Sequence, residues 1–315
     1  MMEYQSRGIS PAAAFFVLMA FCGAGLIIGY LVGAMIWIAM TGQGFLTMAK
    51  DILDPKYANA ARIFQLVAVF FMFFLPAVFT MRLMAPRPFR QLGYREGFNA
   101  KQLALAVLII LACLPMVGSL AELTKAIPLP KAATAYFMKL EDNYDNQAQA
   151  LALIRSPAEF IFSLIIMALI PALFEETLFR GALQKILVQW IKKPMPAIII
   201  TAIIFSLLHI SYYGFLGRFA LGLVLGLLFH YSGSFWLSMA AHFTNNAVAV
   251  CYIYYLSTHG KPVKEAIDDS SPIWLGLLFL LLVVALVKAF RYVSYQRNIH
   301  KIPPMDGPSI ESNIA

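Results

Sequence analysis

The sequence contains few charged residues. Asp, Glu, Lys and Arg make up 13% of its 315 residues, and hydrophobic residues make up 61%. In an average soluble domain about 25% of the residues are charged and about 45–50% are apolar. One soluble core cannot bury that much apolar surface. The formal net charge of +8 comes from basic residues in short loops between apolar runs, and no basic patch interleaved with aromatic residues is present. We therefore expect a lipid bilayer as the surroundings and no nucleic acid as a partner.

Other common signatures are also missing. The three cysteines each lie inside an apolar run, and no CxxC or Cys/His metal spacing exists, so we interpret them as packing residues. The HExxH motif of zinc proteases and the GxSxG motif of serine hydrolases are absent. The alternation typical of a transmembrane β-barrel is absent too. What remains is a chain of long apolar segments.

Eight of these segments are candidate membrane spans. Because lipid cannot satisfy backbone polar groups, each span should be a helix, and the expected fold class is an all-α, polytopic transmembrane bundle of about eight spans. The first run is too long for the apolar part of a signal peptide and indicates a retained span. The spans are 11–40, 62–84, 102–121, 159–190, 196–213, 217–232, 235–256 and 272–292.

Basic residues in the loops predict the orientation. Arg and Lys residues cluster between spans two and three, between spans four and five, and after span eight. With eight spans, these clusters share one side, which the positive-inside rule makes the cytoplasm. We expect a multi-pass protein of the inner (cytoplasmic) membrane with both termini in the cytoplasm.

Two further segments carry structural hints. In the long loop 122–158, residues 132–140 are compatible with an interfacial amphipathic helix, although we favour a solvated connector. Gly25, Gly29 and Gly33 have the four-residue spacing that lets helices approach closely in lipid. This spacing indicates packing within the chain or between two copies, as in a homodimer.

Charged residues inside spans are costly and usually functional. Span four contains Glu175-Glu176-x-x-x-Arg180. Glu176 and Arg180 are four residues apart and can pair on one helical face. Glu175 points about 100° away from that face, which leaves it in apolar surroundings suited to proton transfer. The alternative is an ion-pair lock between helices.

Two more spans carry polar pairs at helical spacing. Span five contains Phe205-x-x-x-His209 and span seven contains His242-x-x-x-Asn246. Each pair alone is compatible with hydrogen bonding between helices. His230, near the end of span six, has no aligned partner, so we interpret it as a structural or interfacial residue.

Together, these residues on three helices predict a hydrolytic site. A glutamate beside a histidine can take a proton from an attacking water, and a second histidine with an asparagine can stabilise the oxyanion. Alternatively, two histidines and a glutamate could bind zinc or another divalent metal. The metal requirement stays open.

The three motifs, in this order, resemble those of the CAAX-protease and bacteriocin-processing (CPBP) family, which includes abortive-infection-like members. The resemblance covers about residues 155–256. It implies an intramembrane endopeptidase, related to the type II enzyme that trims prenylated CAAX proteins. It also implies that Glu175 and His209 activate water and that His242 and Asn246 stabilise the oxyanion. Supporting roles fall to Glu176, Arg180 and Phe205.

The resulting domain prediction has four parts. Residues 1–150 supply N-terminal helices and a long outer loop, 151–260 form the protease core, 261–295 form the last span, and 296–315 form a polar, disordered tail. The leading hypothesis is an endopeptidase acting on a membrane-associated protein or peptide, with lipidated substrates among the candidates. The alternatives are a proton-coupled transporter, for which Pro76 and Pro171 are candidate helix breaks, and a non-enzymatic scaffold or immunity protein.

Overall fold

The structure, a computed structural model, describes residues 9–151, 154, 156–261 and 270–299. Within these residues it is helical and contains no strand. Short helical turns at Met48–Asp51 and Pro88–Gln91 join longer elements. We label the long helices of the described chain α1 (Pro11–Thr41), α2 (Pro55–Met84), α3 (Ala100–Lys125), α4 (Lys131–Leu151), α5 (Pro157–Ile191), α6 (Pro194–Leu207), α7 (Phe215–Ser232), α8 (Phe235–Thr258) and α9 (Ile273–Ile299).

Each of the eight predicted spans corresponds to a helix, which confirms the polytopic all-α bundle. Six of the helices, α1, α2, α3, α5, α7 and α9, are long and apolar enough to cross a membrane. Helix α6 is apolar but has only 14 residues. Helix α8 has 24 residues, but His242, Asn245 and Asn246 lower its mean hydropathy. The two exceptions are helices that carry or directly precede predicted site residues.

Helices α2 and α5 continue through an internal proline. Pro76 follows a π-helical segment, Phe70–Phe74, and Pro171 follows another, Leu164–Leu169. Proline lacks an N–H and clashes with the carbonyl four residues earlier, and a local π turn accommodates this defect. Neither proline breaks its helix, so the discontinuous spans that a transporter would need are not found at these positions.

Helix ends are specified by short-range signals. Ser10 accepts a hydrogen bond from the backbone N–H of Ala13 ahead of Pro11, at the start of α1. Asn99 and Gln102 form a reciprocal capping box at the start of α3. Gly233 ends α7 with a φ of 68°, a conformation that favours glycine. These caps fix the short turns that bring neighbouring helices together.

Glycines bring α1 against α2. A Cβ on Gly29 would lie 2.9 Å from Cβ of Phe71, and one on Gly33 would lie 2.8 Å from Cδ2 of Phe64. A Cβ on Gly25 would overlap the backbone carbonyl group of Phe71. The four-residue glycine spacing therefore serves packing within the chain.

The loop before α3 and the turn before α8 meet at one end of the bundle. The backbone N–H of Phe235 donates to the Gly93 carbonyl, and the Ser234 hydroxyl donates to the Glu96 carbonyl. These contacts join the loop before α3 to the turn before α8. At the opposite end, the Ser119 hydroxyl of α3 donates to the Pro272 carbonyl just before α9.

Three boundaries differ from the prediction. A helix, α4, occupies Lys131–Leu151 of the segment for which we favoured a solvated connector, and more than half of its residues between 131 and 142 are exposed. Span five was expected to reach residue 213, but α6 ends at Leu207, since Ile210 adopts a φ of 50° that an α-helix cannot continue through. Helix α9 runs to Ile299, past the expected start of the tail at 296. The remainder of that tail, 300–315, lies outside the described residues.

Candidate active site

Glu176 of α5 is the centre of a buried charged cluster. Its side chain is 0% exposed, and its Oε2 lies 3.1 Å from Nε of Arg180, one helical turn later. Its Oε1 accepts a hydrogen bond of 3.0 Å from Nδ1 of His242 on α8. The predicted pairing of Glu176 with Arg180 is therefore present, and it extends to a third residue on another helix.

Glu175 faces the other nitrogen of the same imidazole. Its Oε2 lies 3.8 Å from Nε2 of His242, and its side chain is 13% exposed. Among the residues that the structure describes, this oxygen has no hydrogen-bond partner. His242 therefore sits between the two adjacent carboxylates, one of which is held by Arg180 while the other has an oxygen without a hydrogen bond.

The charges of the cluster balance only with one additional proton. Two carboxylates face one guanidinium, and the remaining negative charge is costly in apolar surroundings. A single proton carried by Glu175 or by His242 leaves no net charge. These two groups approach each other most closely between Oε2 of Glu175 and Nε2 of His242, which are 3.8 Å apart.

Phe205 of α6 holds both the guanidinium and the imidazoles. The Arg180 guanidinium carbon lies 5.3 Å from the Phe205 ring centroid, within cation–π range. The Phe205 ring also lies 4.9 Å from the His209 ring and 5.8 Å from the His242 ring, centroid to centroid. The predicted supporting residue is therefore the contact that connects α5, α8 and the segment after α6.

His209 lies just beyond α6 rather than on it, which corrects the expectation of a continuous helix through 213. Its contact with Phe205 survives because the chain makes one more turn before Ile210, with a 3.3 Å bond from the His209 N–H to the Ser206 carbonyl. Nδ1 of His209 lies 2.9 Å from the Phe205 carbonyl oxygen. A carbonyl can only accept, so Nδ1 carries the hydrogen and Nε2 of the neutral ring keeps its lone pair.

Asn246 lies one turn after His242 on α8. Its Oδ1 accepts a hydrogen bond of 3.2 Å from Nδ2 of Asn245, which leaves the Asn246 amide hydrogens to donate elsewhere. Among the described residues no hydrogen bond joins Asn246 to Glu175, His209 or His242. The structure thus places His209 and His242 against Phe205, and Glu175 near His242, while Asn246 lies one turn further along α8.

Helix α4 covers the segment that carries His209, a feature that the sequence did not predict. Phe137 stacks on Tyr212 with ring centroids 4.2 Å apart. The Ser211 hydroxyl lies 3.1 and 3.0 Å from the two carboxylate oxygens of Glu141. The polar run 141–146 was the available signal, but its spacing does not indicate which distant segment it contacts.

Tyr94 supports α5 from the loop before α3. The Thr177 hydroxyl donates to the Leu173 carbonyl, so the Tyr94 hydroxyl, 2.6 Å away, is the donor to Thr177. Burial raises the pKa of Tyr94 to about 12, which keeps this donor protonated at neutral pH. Tyr94 also stacks on Phe235 at 4.1 Å, next to the start of α8. No residue spacing indicates Tyr94, because its partners lie on distant segments.

The donor set does not fit a zinc site. Nδ1 of His242 is engaged by Glu176, and Oε2 of Glu176 by Arg180. In the described part of the chain, no group of three or more His, Cys, Asp and Glu side chains has an arrangement that could hold a metal ion. Structural and catalytic zinc sites need at least three protein ligands, and the described cluster does not supply them in such an arrangement.

Comparison with known proteins identifies the segment that contains this cluster. Residues 157–248 match the family model Rce1-like, described as type II CAAX prenyl endopeptidase Rce1-like. The match includes all seven predicted site residues and confirms the resemblance over that segment. An uncharacterized protein of Bacillus subtilis (strain 168), YpbD, is 32% identical over 96 residues, which is 29% of this chain and 46% of the relative. The chain thus aligns with about half of that relative. No solved structure matches at a significant level.

Proposed function

We propose that this protein is an intramembrane endopeptidase of the CAAX type that hydrolyses a peptide bond with water activated by Glu175 and His209. The observation that carries the proposal is the position of His242 between Glu175 and Glu176, 3.8 and 3.0 Å away. Its support from similarity is the family model that matches residues 157–248.

Glu175 is the proposed general base. Its Oε2 is without a hydrogen-bond partner among the described residues, so it can accept the proton of a water that attacks the substrate carbonyl. Nε2 of His209 keeps its lone pair and is the second acceptor for that water. The proton taken by Glu175 is then passed to the leaving amine, which balances the hydrolysis.

The oxyanion is assigned to the other two residues. His242 is oriented by its Nδ1–H bond to Glu176, and Glu176 is fixed by Arg180. With a proton on Nε2, His242 donates to the developing negative charge, and the Asn246 amide is the second donor. Removing one oxyanion donor typically lowers kcat by about 10²- to 10³-fold.

The proposed substrate is a membrane-associated protein or peptide, and lipidated proteins belong to this class. The cluster lies on helices of a polytopic bundle, so a substrate must present its scissile bond within or next to the bilayer. The proposed location is the inner membrane, with the basic loops and both termini in the cytoplasm.

The test compares membrane proteomes of cells that carry wild-type protein or Glu175→Gln, which preserves shape and removes the base. We expect at least one membrane protein to accumulate in an uncleaved form in the cells that carry the variant. A purified peptide containing the cleavage site of that protein should be cleaved about 10²- to 10⁴-fold more slowly by the variant than by the wild type. Glu122→Gln is the matched control, since Glu122 pairs with Lys125 on the surface of α3. Full activity of Glu175→Gln on a peptide that the wild type cleaves would refute the proposal.

A further inference from the structure

A second polar site lies between α7 and α9, away from the glutamate cluster. A pocket of about 590 Å³ opens between the end of α7 and the second half of α9. Two basic residues, a histidine and three tyrosines line it, and none of these lining residues, all of which the structure describes, is acidic. They are His230, Tyr231, Lys288, Arg291, Tyr292 and Tyr295.

The residues from α9 share one helical face. Lys288, Arg291, Tyr292 and Tyr295 are spaced by three, one and three residues, which places them on adjacent turns of the same face. The Arg291 guanidinium carbon lies 5.5 Å from the ring centroid of Tyr231 on α7. The pocket is thus formed by two helices together, and a cation–π contact joins its two walls.

The depth of the pocket corresponds to the lipid headgroups. Residues 273–287 are uncharged, and Lys288 to Tyr295 lie roughly 22 to 33 Å along the axis from Ile273 at 1.5 Å per residue. A hydrocarbon layer is about 30 Å thick. Tyrosines together with long basic side chains are typical of this boundary, where they reach toward phosphate groups.

A buried contact holds the α9 wall of the pocket in place. Nε2 of Gln102 on α3 donates to the Ser294 hydroxyl over 2.9 Å, and both side chains are fully buried. Gln102 also belongs to the capping box that starts α3. The α9 face is therefore fixed in rotation, and its basic residues are presented without a large ordering cost on binding.

We propose that this pocket binds the phosphate group of an anionic membrane lipid in the leaflet next to the C-terminal end of α9. Arg291 supplies a planar donor fork that matches phosphate oxygens and Lys288 supplies a second charge. Tyr292 and Tyr295, each more than 60% exposed, contact the glycerol backbone and upper acyl chains. Basic pockets between membrane helices are a recurrent solution for such headgroups.

The test titrates the full-length protein in neutral detergent with dioleoyl phosphatidylglycerol and counts bound lipid by native mass spectrometry. We expect one lipid to bind first, and Lys288→Gln with Arg291→Gln to weaken this step about 30-fold. Arg291→Gln alone is titrated as well, in case the double variant does not fold, with about fivefold weakening expected.

The matched control is Arg87→Gln with Lys193→Gln, which removes two charges from exposed positions at the same end of the bundle. We expect it to change the first binding step less than threefold. Equal weakening by both pairs, or equal binding of dioleoyl phosphatidylcholine, would overturn the proposal. If inorganic phosphate alone bound as tightly as the lipid, the pocket would be a free-phosphate site and the lipid assignment would be wrong.

Discussion

Two helix–helix contacts in this protein solve the same packing problem with different chemistry. Helices α1 and α2 meet through Gly25, Gly29 and Gly33, whose missing side chains let the backbones approach. Helices α5 and α8 meet through a buried ion cluster in which Glu176 contacts both Arg180 and His242. Because small residues suffice for close packing in a membrane, the costly charges between α5 and α8 require another explanation, and the proposed catalysis would supply one.

The largest effect should come from Glu176→Gln, which tests whether the charged contact also stabilises the fold. Arg180 is 0% exposed and would lose its carboxylate partner, and breaking a buried pair typically costs about 3–5 kcal/mol. We expect the free energy of unfolding in mixed micelles to fall by that amount and peptidase activity to be lost.

Glu175→Gln is the comparison for this prediction, because Oε2 of Glu175 has no hydrogen-bond partner among the described residues. Its unfolding free energy should match or exceed that of the wild type while activity is lost. Should both variants lose equal stability, the two adjacent glutamates would share one structural role.

Substitution at the glycine contact between α1 and α2 should have the opposite effect to Glu175→Gln, with stability lowered and activity kept. Gly25→Ala places a methyl group against the Phe71 carbonyl, and overpacking typically costs about 1–3 kcal/mol. We expect the free energy of unfolding to drop by this amount, with activity per folded molecule unchanged. Both are measured on the same preparation, by denaturation and by cleavage rate.

Gly23→Ala is the internal control, since a Cβ there meets no atom within 4 Å. It should leave stability and activity near wild-type values. A loss of specific activity in Gly25→Ala would mean that the N-terminal helices take part in the chemistry. It would contradict the distinction between a packing contact at α1 and α2 and a catalytic contact at α5 and α8.

The smallest effect on kcat is expected at Glu141 of α4, outside the cluster of Glu175, Glu176, Arg180 and His242. Glu141→Gln weakens the hydrogen bonds that Ser211 donates from the segment carrying His209. Loss of about 1 kcal/mol in positioning this segment corresponds to about a fivefold lower kcat. The KM for a peptide substrate should stay within twofold, because neither residue is among the proposed catalytic groups.

Glu122→Gln again serves as control for the charge change, on the surface of α3. If Glu141→Gln left kcat at the wild-type value, the contact between α4 and Ser211 would not affect the position of His209.

Much of the fold followed from apolar run lengths, because a segment in lipid must satisfy its own backbone. The i,i+4 pairs were also readable: Glu176 with Arg180, and Phe205 with His209, both make contact. The sequence did not predict that His242 would lie between both glutamates, since a spacing rule describes one helix and this contact joins two. It also missed the helix end at Leu207, which depends on the left-handed backbone of Ile210.

The contact between Glu176 and His242 also has a consequence for the order of synthesis. The two residues are 66 positions apart, so a ribosome adding about 5–20 residues per second makes His242 roughly 3 to 13 s after Glu176. During that interval the nascent α5 carries two carboxylates and has no α8 to contact. Arg180 follows Glu176 by four residues on the same helix, so the nascent span carries its own counter-charge from the start. The ion pair within α5 can therefore form before the contact with His242 that completes the cluster.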